Sequence, residues 1–195
     1  MITDQLHLAF TPQADLETLA HPLDLFYAEA GLTLPPIQRI EGQTLPQPQR
    51  QLLVHNHDMT PTLETFYQRT IHIRVLGRRR VGGEYHREVV LHLDDTAEPV
   101  EFGANRIILR HFPEEAQRLI LLEHEPLGHI LRDFGVTHSC EPNAFLRVAS
   151  DPLINEALGL RGAHVLYGRH NRLYDPQGQM ISEVVEILRN PPVRT

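Results

Sequence analysis

The chain has 195 residues, of which 41% are hydrophobic and 22% charged, and its formal net charge is −7 at pH 7. This length corresponds to about one domain with a substantial core, and the acidic balance disfavours a nucleic-acid partner, for which a basic surplus is expected. The sequence shows neither an apolar run of about 18 residues, as a membrane span requires, nor a signal-peptide pattern, and its single cysteine, Cys140, excludes an internal disulfide. We therefore expect a cytoplasmic protein with no membrane or nucleic-acid partner, as a monomer or weak oligomer.

Short helices separated by proline-rich connections are predicted over the first third of the chain. Residues 1–21 lack clear periodicity, and we expect a loosely attached arm there. PLDLFYAEAG, residues 22–31, opens with a proline and ends with a glycine, which is typical of a short helix. After a proline-rich connection, two further helices are predicted over QRQLLVH and HDMTPTLETFY, and in the second Thr60 can act as cap and Pro61 can open the first turn.

Alternating strands and two helices are predicted over the rest of the chain. Three strand candidates, RTIHIRVLGRR, EYHREVVLHLDD and PVEFGANRIIL, are joined by turn sequences and therefore form two antiparallel hairpins. PEEAQRLILLE and EPLGHILRDFG are predicted helices, NAFLRVA indicates one further strand, and DPQG joins the last two strands, AHVLYGRHNRLYD and GQMISEVVEIL. The sequence thus predicts one α+β domain over residues 1–195, a single antiparallel β-sheet with helices packed on one face, in which residues 1–50 are the less regular part.

Arg87 and Glu183 are charged residues on strand faces that otherwise carry apolar residues. The period of two places Arg87 among core residues in EYHREVVLHLDD and Glu183 among core residues in QMISEVVEIL, whereas Glu186 falls on the other face with Ser182. A buried charge without a partner is prohibitively costly, so each needs compensation. Either the two pair inside the core, or both line a pocket in which Arg87 holds a ligand carboxylate with its planar fork and Glu183 meets a hydroxyl.

The helix predicted over EPLGHILRDFG favours the pocket. Free N–H groups at a helix N-terminus attract anions, and Gly128 allows a ligand to approach closely there. The strand containing LYGRHNRL adds Arg169 and Arg172, which fall on opposite faces, so that only one of them can point inward. Together these residues would suit an anionic small molecule.

Four motifs occur in the order and spacing of the chorismate lyase family, the chorismate–pyruvate lyases that make 4-hydroxybenzoate for ubiquinone or secondary metabolites. They are HDMTPTLE, REVVLHLDDTAEPVEFGANRIIL, EPLGHIL and LYGRHNRLYDPQGQMISEVVEIL. The chain resembles this family over about residues 50–188, through motifs of which none is diagnostic alone. The resemblance implies a chorismate lyase-like α+β fold in which helical flaps enclose a buried ligand site.

The resemblance also implies which residues form the site. The family's essential arginine and glutamate match Arg87 and Glu183, which as catalytic residues would hold the ring carboxylate and face the ring oxygen. Ligand-contacting positions of the family match Met59 and Leu127, and with Gly128 and Arg169 these form the predicted substrate-binding set. The implied reaction eliminates pyruvate from chorismate, a dianion, without a metal or other cofactor, and burial would raise the pKa of Glu183 so that it acts as an acid.

Thirteen histidines raise the question of a metal site. HNH, residues 55–57, and HSC, residues 138–140, are the local candidates, because neighbouring imidazole and thiol groups can chelate zinc. His124 and His129 are five residues apart, which is off the i, i+4 spacing of two ligands on one helical face. A full ligand set with zinc-site spacing is missing, and nothing in the sequence identifies a base for Cys140 as a nucleophile. We therefore predict no metal, no cofactor and no cysteine catalysis.

Two other functions are compatible with the same fold. An enzyme of this fold could act on a different cyclic or aromatic carboxylate, because His170 and Asn171 stand where the family often has more basic residues. A non-catalytic small-molecule sensor is the other alternative, since the fold also serves as the effector-sensing half of some transcription regulators. The first fifty residues are too proline-rich and too acidic for a winged helix, which disfavours a regulator but not a stand-alone sensor.

Overall fold

The computed structural model describes residues 13–191, which contain seven β-strands and seven α-helices. The strands are β1 Ile37–Ile40, β2 Ile71–Val81, β3 Glu84–Leu93, β4 Pro99–Ile108, β5 Ser139–Ala149, β6 Val165–Tyr174 and β7 Met180–Leu188. The helices are α1 Gln13–Ala20, α2 Leu23–Glu29, α3 Gln49–Leu53, α4 Met59–Tyr67, α5 Glu114–Leu122, α6 Leu127–Asp133 and α7 Pro152–Ala157. Every helix in this part of the chain is too short or too polar to cross a membrane. Residues 1–12 of the expected N-terminal arm lie outside the described residues.

All seven strands join one antiparallel sheet in the order β1-β5-β6-β7-β4-β3-β2. The hairpin β3–β4 and the C-terminal hairpin β6–β7 meet where β4 pairs with β7, which places strands from both halves of the chain at the centre of the sheet. Residues that lie opposite each other in an antiparallel sheet point to the same side. The register therefore decides which charged side chains can meet.

Two neighbouring rows of the sheet define its two faces. In one row Arg87, Asn105, Val184 and Asn171 lie opposite one another across β3, β4, β7 and β6, and we call the side to which they point the front face. The next row, which points to the back face, comprises His86, Arg106, Glu183 and Arg172.

Helices α3 to α6 cover the front face. Leu52 of α3 and Leu63 of α4 are fully buried in one apolar cluster with Val89 of β3, and Ile120 of α5 and Leu131 of α6 belong to a second cluster with other residues of the sheet. Burying each such side chain contributes about 1.5–3 kcal/mol relative to leaving it exposed. These clusters hold the four helices over the front face.

The shorter helices α1, α2 and α7 cover the back face. Leu23 and Phe26 of α2 and Ile154 of α7 pack in one cluster with Phe102 and Val185, which point to the back of the sheet. The predicted class, a single antiparallel sheet covered by helices, is confirmed. The helices are divided between the two faces, so the expectation of helices on one face describes only the larger group, α3 to α6.

The six predicted strands and five predicted helices are all present, with ends shifted by a few residues. Three short elements were not predicted, namely β1, α1 and α7. The strand β1 has four residues in the proline-rich segment and forms by pairing with β5, where Ile37 lies opposite Val148. A strand that depends on a partner distant in sequence leaves little local pattern.

Candidate functional site

A cavity of about 50 Å³ lies between the front face and the helices α4 and α6. Its floor is polar and is formed by Arg87, Glu101, Asn105, Asn171, Ser182 and Glu186. Its apolar wall is formed by Met59, Ile73, Val89, Leu91, Leu127, Leu131, Leu173 and Val184. An apolar enclosure with a few convergent polar groups is typical of small-molecule sites.

Arg87 is the most unusual residue of this cavity. Its side chain is fully buried, and its Nε donates a hydrogen bond to Oδ1 of Asn105 at 3.2 Å. Neither Nη1 nor Nη2 has a hydrogen-bond partner among the residues that the structure describes. Burial lowers the pKa of Arg87 to about 10, so the guanidinium is still charged at neutral pH. The cavity therefore contains a positive charge with two donor groups free to bind an anion.

Two further polar groups of the floor have unused hydrogen-bonding capacity. Oε2 of Glu101 and Oδ1 of Asn171 are buried without a partner in the described part of the chain. Burial raises the pKa of Glu101 well above its usual range, and the charge of Glu186 raises it further. A carboxyl group accepts hydrogen bonds and, when protonated, also donates one, so this carboxyl group and the amide can bind a ligand hydroxyl in the cavity that holds the guanidinium.

Met59, Leu127 and Gly128 all line the cavity, where the helices meet above the sheet. Gly128 allows α6 to approach α4, since a Cβ atom added to it would lie 3.0 Å from both Cβ and Oγ1 of Thr60. The helix α6 has only seven residues. Gly128 thus has a packing role between the helices, and the cavity's anion-binding capacity rests on Arg87.

Glu183 does not share a site with Arg87, and the prediction that the two confront one ligand is wrong. The register places Glu183 opposite Arg106 on the back face, so the sheet separates it from the cavity. Its carboxylate accepts hydrogen bonds from His170 Nε2 at 3.0 Å and Arg172 Nε at 2.7 Å. Burial alone would raise the pKa of Glu183, but these hydrogen bonds outweigh burial and lower the pKa to about 2. A carboxylate held in this way is no proton donor.

Arg169 lies on the front face but has no group free for a ligand. Its Nε donates to Oε2 of Glu186 at 2.5 Å, and its Nη1 and Nη2 donate to the carbonyl oxygens of His55 at 3.0 Å and His57 at 3.1 Å. The predicted substrate-binding role is therefore not supported, because this fully buried arginine fixes the α3–α4 connection to the sheet. Arg172 points to the back face, as the alternation predicted.

A second, open space, which we call the outer cleft, lies next to the cavity and has a volume of about 1110 Å³. It is bordered by the α3–α4 connection, by α4 and by the start of β5, and Asp58 lines both spaces. Asp58 also contacts the two outer residues of the HSC motif, since its Oδ1 lies 2.9 Å from Nε2 of His138 and 3.3 Å from Sγ of Cys140. The HNH motif forms no such group, because His55 and His57 stack on each other beside Arg169.

Several residues of the site escaped the sequence analysis. Asn105 holds Nε of Arg87, and its only signal was a polar residue in the strand EFGANRIIL. Glu186 was placed with Ser182 on the face opposite Glu183, and that assignment was correct. Asp58 lies about 80 residues from the HSC motif, so no spacing rule connects them.

Neither a protein-family model nor a curated protein sequence matches this chain. Among solved structures it is similar to PhnF from Mycobacterium smegmatis, with a TM-score of 0.53 and 13% identity over 70% of this chain and 65% of that one. The match to the effector domain of PhnF alone has the same score and identity and covers 69% of this chain and 89% of the domain. A weaker likeness, with a TM-score of 0.45 and 10% identity, links 64% of this chain to 95% of a GntR-family transcriptional regulator from Bacillus cereus. This chain thus spans just under two thirds of the PhnF chain that it matches.

The prediction of a chorismate–pyruvate lyase is contradicted by the likeness to the effector domain of PhnF. The substrate chorismate and the product 4-hydroxybenzoate, which that prediction implied, are contradicted with it. The geometry agrees with this correction, since Glu183, the predicted acid, lies on the far side of the sheet. The likeness to the effector domain of PhnF confirms the predicted fold class, and this chain has the chorismate lyase-like α+β fold.

Proposed function

We propose that this domain is a non-catalytic sensor that binds a small organic carboxylate in the front-face cavity, with Arg87 as the partner of the carboxylate. The observation that carries the proposal is a fully buried guanidinium in the floor of a cavity, with two nitrogens that lack partners among the described residues. The fold shared with an effector domain supports the same class of function.

The charge of Arg87 supports an anionic ligand. A buried charge without a hydrogen-bonded counter-charge costs several kcal/mol, and a guanidinium whose pKa is about 10 cannot relieve this cost by losing its proton near neutral pH. A carboxylate bound to Nη1 and Nη2 would form two parallel charge-assisted hydrogen bonds. Ligand binding would thus offset a cost that the unliganded domain bears.

The other groups of the cavity limit the kind of carboxylate. The space of about 50 Å³ is enough for a few water molecules or one small group. A larger ligand requires the side chains of Met59 and Leu127 to move with their helices. Glu101 and Asn171 would meet a hydroxyl or carbonyl group at the far end of the ligand, and the apolar wall would contact its carbon skeleton.

Calorimetric titration with acetate, succinate, benzoate and inorganic phosphate tests the proposal. We expect at least one carboxylate to bind, and its neutral amide, for example benzamide beside benzoate, not to bind. Arg87→Met should weaken binding by about 10- to 100-fold, because a hydrogen bond to a charged group contributes about 1.5–3 kcal/mol. The ligand should also raise the unfolding temperature, by an amount that grows with the logarithm of its free concentration above the dissociation constant.

The matched control is Arg80→Met, which removes an exposed arginine from β2. This variant should bind the same carboxylate as tightly as the unchanged domain. Binding that is equally strong in Arg87→Met, or binding of the amide as tight as that of the acid, would contradict the proposal. Tight binding of phosphate alone would show that the anion class is wrong.

A further inference from the structure

A group of three metal-type donors borders the outer cleft, outside the proposed anion site. Asp58 immediately precedes α4, His138 immediately precedes β5, and Cys140 is the second residue of β5. Their donor atoms, a carboxylate oxygen, an imidazole nitrogen and a thiol sulfur, all lie within 4.8 Å of one another. Tetrahedral zinc, with bonds of about 2.0–2.3 Å, would place such donors about 3.3–3.8 Å apart. The present separations need only small adjustments to reach these values.

The imidazole of His138 is already oriented as a metal ligand. Its Nδ1 lies 2.8 Å from the carbonyl oxygen of Val136, and because a carbonyl only accepts, Nδ1 donates this hydrogen bond. Metal-binding histidines usually hold their second ring nitrogen in this way, which fixes the ring and its tautomer. The other nitrogen, Nε2, is turned towards Asp58 and Cys140.

The centre of the group is occupied by hydrogen bonds that a cation can replace. Nε2 of His138 and Sγ of Cys140 both lie within hydrogen-bonding distance of the same oxygen, Oδ1 of Asp58. Since an ionised carboxylate only accepts, the protons between these atoms belong to the imidazole and the thiol. A divalent cation at the centre would displace these two protons, and both would leave to solvent.

We propose that Asp58, His138 and Cys140 form a zinc-binding site with one open coordination position towards the outer cleft. A thiolate favours zinc over magnesium or calcium, and zinc accepts sulfur, nitrogen and oxygen donors together. Three protein ligands leave the fourth position for water or for an anion from the cleft, which all three residues line. This inference goes beyond the sensor function and does not depend on it.

Cobalt is the appropriate reporter because the chain has a single cysteine. The protein would be reduced, stripped with a chelator and titrated with Co²⁺ in the absence of any organic anion. We expect a sulfur-to-cobalt charge-transfer band in the near ultraviolet that saturates at one equivalent and is removed by Zn²⁺. Such a band can come only from Cys140. Absence of the band at excess Co²⁺ in folded protein would overturn the proposal.

Variants test each ligand separately. Cys140→Ser should abolish the band, and Asp58→Asn and His138→Asn should each weaken Co²⁺ binding at least tenfold, with cooperative thermal unfolding as the check that each variant is folded. His72→Asn is the matched control, since His72 pairs with Asp94 at 2.8 Å without a thiol nearby in this strand pair, and it should bind Co²⁺ like the unchanged protein. An unaltered band in both Asp58→Asn and His138→Asn would overturn the proposal.

The two sites can be separated experimentally. Arg87→Met should retain the cobalt band in full while losing carboxylate binding, because Arg87 is not a member of the donor group. Cys140→Ser should show the reverse, with carboxylate binding retained. Failure of the zinc site therefore leaves the sensor proposal intact, and failure of the sensor proposal leaves the zinc site intact.

Discussion

The front and back faces of the sheet differ in how many partners surround a buried charge. On the back face Glu183 has basic groups on several sides, with Arg172 Nε at 2.7 Å, His170 Nε2 at 3.0 Å and Arg106 Nη1 at 3.6 Å. On the front face Arg87, in the next row, has one hydrogen bond to a neutral amide and two nitrogens without partners in the described residues. Both side chains are almost completely buried, so burial does not distinguish them.

The difference shows which buried charge indicates a binding site. A buried charge that has hydrogen bonds and opposite charges around it contributes to the stability of the fold. A buried charge that the fold leaves without these partners is stabilised when a ligand of opposite charge binds to it. The back face also shows that the type of group matters. Oε1 of Glu88 lies there without a partner in the described part of the chain, and burial raises the pKa of Glu88 to about 7, so this carboxyl can become neutral near physiological pH. Arg87 cannot do so, since its pKa is about 10.

The largest expected change in the free energy of unfolding comes from replacing Glu183, the central anion of the back face. Glu183→Gln leaves His170, Arg172 and Arg106 without their shared anion, and we expect the free energy of unfolding to fall by about 4 kcal/mol, the usual cost of removing one partner of a buried charged group. Urea unfolding at pH 7 measures this loss. Carboxylate affinity per folded molecule should not change, because Glu183 lies behind the sheet.

The control is Glu115→Gln, which removes the carboxylate of an exposed pair with Arg118 on α5. Exposed pairs of this kind contribute little to stability, so the control should unfold at nearly the same urea concentration as the unchanged domain. If Glu183→Gln were as stable as this control, the ion pairs of the back face would be energetically unimportant and the contrast between the faces would fail.

The next largest effect is a pH dependence caused by Glu88. Its pKa of about 7 in the folded state exceeds the ordinary 4.5, so the folded protein binds a proton that the unfolded chain releases between these values. The free energy of unfolding should therefore fall as the pH rises from about 4.5 to about 7, by about 3 kcal/mol in total for a shift of this size. Glu88→Gln should remove this part of the profile.

Urea unfolding at intervals between pH 4.5 and pH 8 gives the profile, and the difference between the unchanged domain and Glu88→Gln isolates the contribution of this residue. Glu156→Gln, an exposed change on α7, is the control. A difference profile that is flat, or that rises with pH, would show that Glu88 is charged and satisfied in the folded state.

The sequence predicted which residues share one side of a strand, but it did not predict which face of the sheet that side belongs to. The period of two identified the residues that share a side of each strand, and Arg87 and Glu183 do lie among apolar residues, as the alternation predicted. The alternation does not say which face of the sheet each apolar side joins, because helices bury both faces and both sides of a central strand carry buried apolar residues. The strand register settles this, and it places Glu183 with Arg106 instead of with Arg87.

The elements of the fold were easier to predict than the site. Turn sequences and helical spacing act over a few residues, so the hairpin β2–β3 and the helices α5 and α6 could be predicted from local pattern. The donor group at the outer cleft needs Asp58 and Cys140 to meet across 82 residues of chain, and that meeting depends on how α4 packs beside β5. Local periodicity contains no information on such a contact.

The smallest expected effect is also the one with the unusual sign, at Arg87. The pKa of this residue falls from 12.5 to about 10 in the folded state, which corresponds to a loss of about 3 kcal/mol for the charged form. Replacement by methionine removes this cost and fills similar space, while it removes the hydrogen bond to Asn105, worth at least about 1.5 kcal/mol for a charged donor. Arg87→Met should therefore raise the free energy of unfolding by about 1 kcal/mol in the absence of ligand.

Urea unfolding with and without the bound carboxylate measures the free energy of unfolding of the unchanged domain and of Arg87→Met in both states. Without ligand Arg87→Met should be the more stable protein. At a ligand concentration of about 100 times the dissociation constant of the unchanged domain, that domain gains about 2.7 kcal/mol, whereas the variant, which binds about 10- to 100-fold more weakly, gains only about 0.4–1.4 kcal/mol, so the unchanged domain draws level or becomes the more stable. Arg80→Met should show no such reversal, because it removes an arginine that is already in water. If Arg87→Met were instead destabilised in the absence of ligand, the guanidinium would already have a partner, and the two faces of the sheet would not differ in the way that their hydrogen bonds indicate.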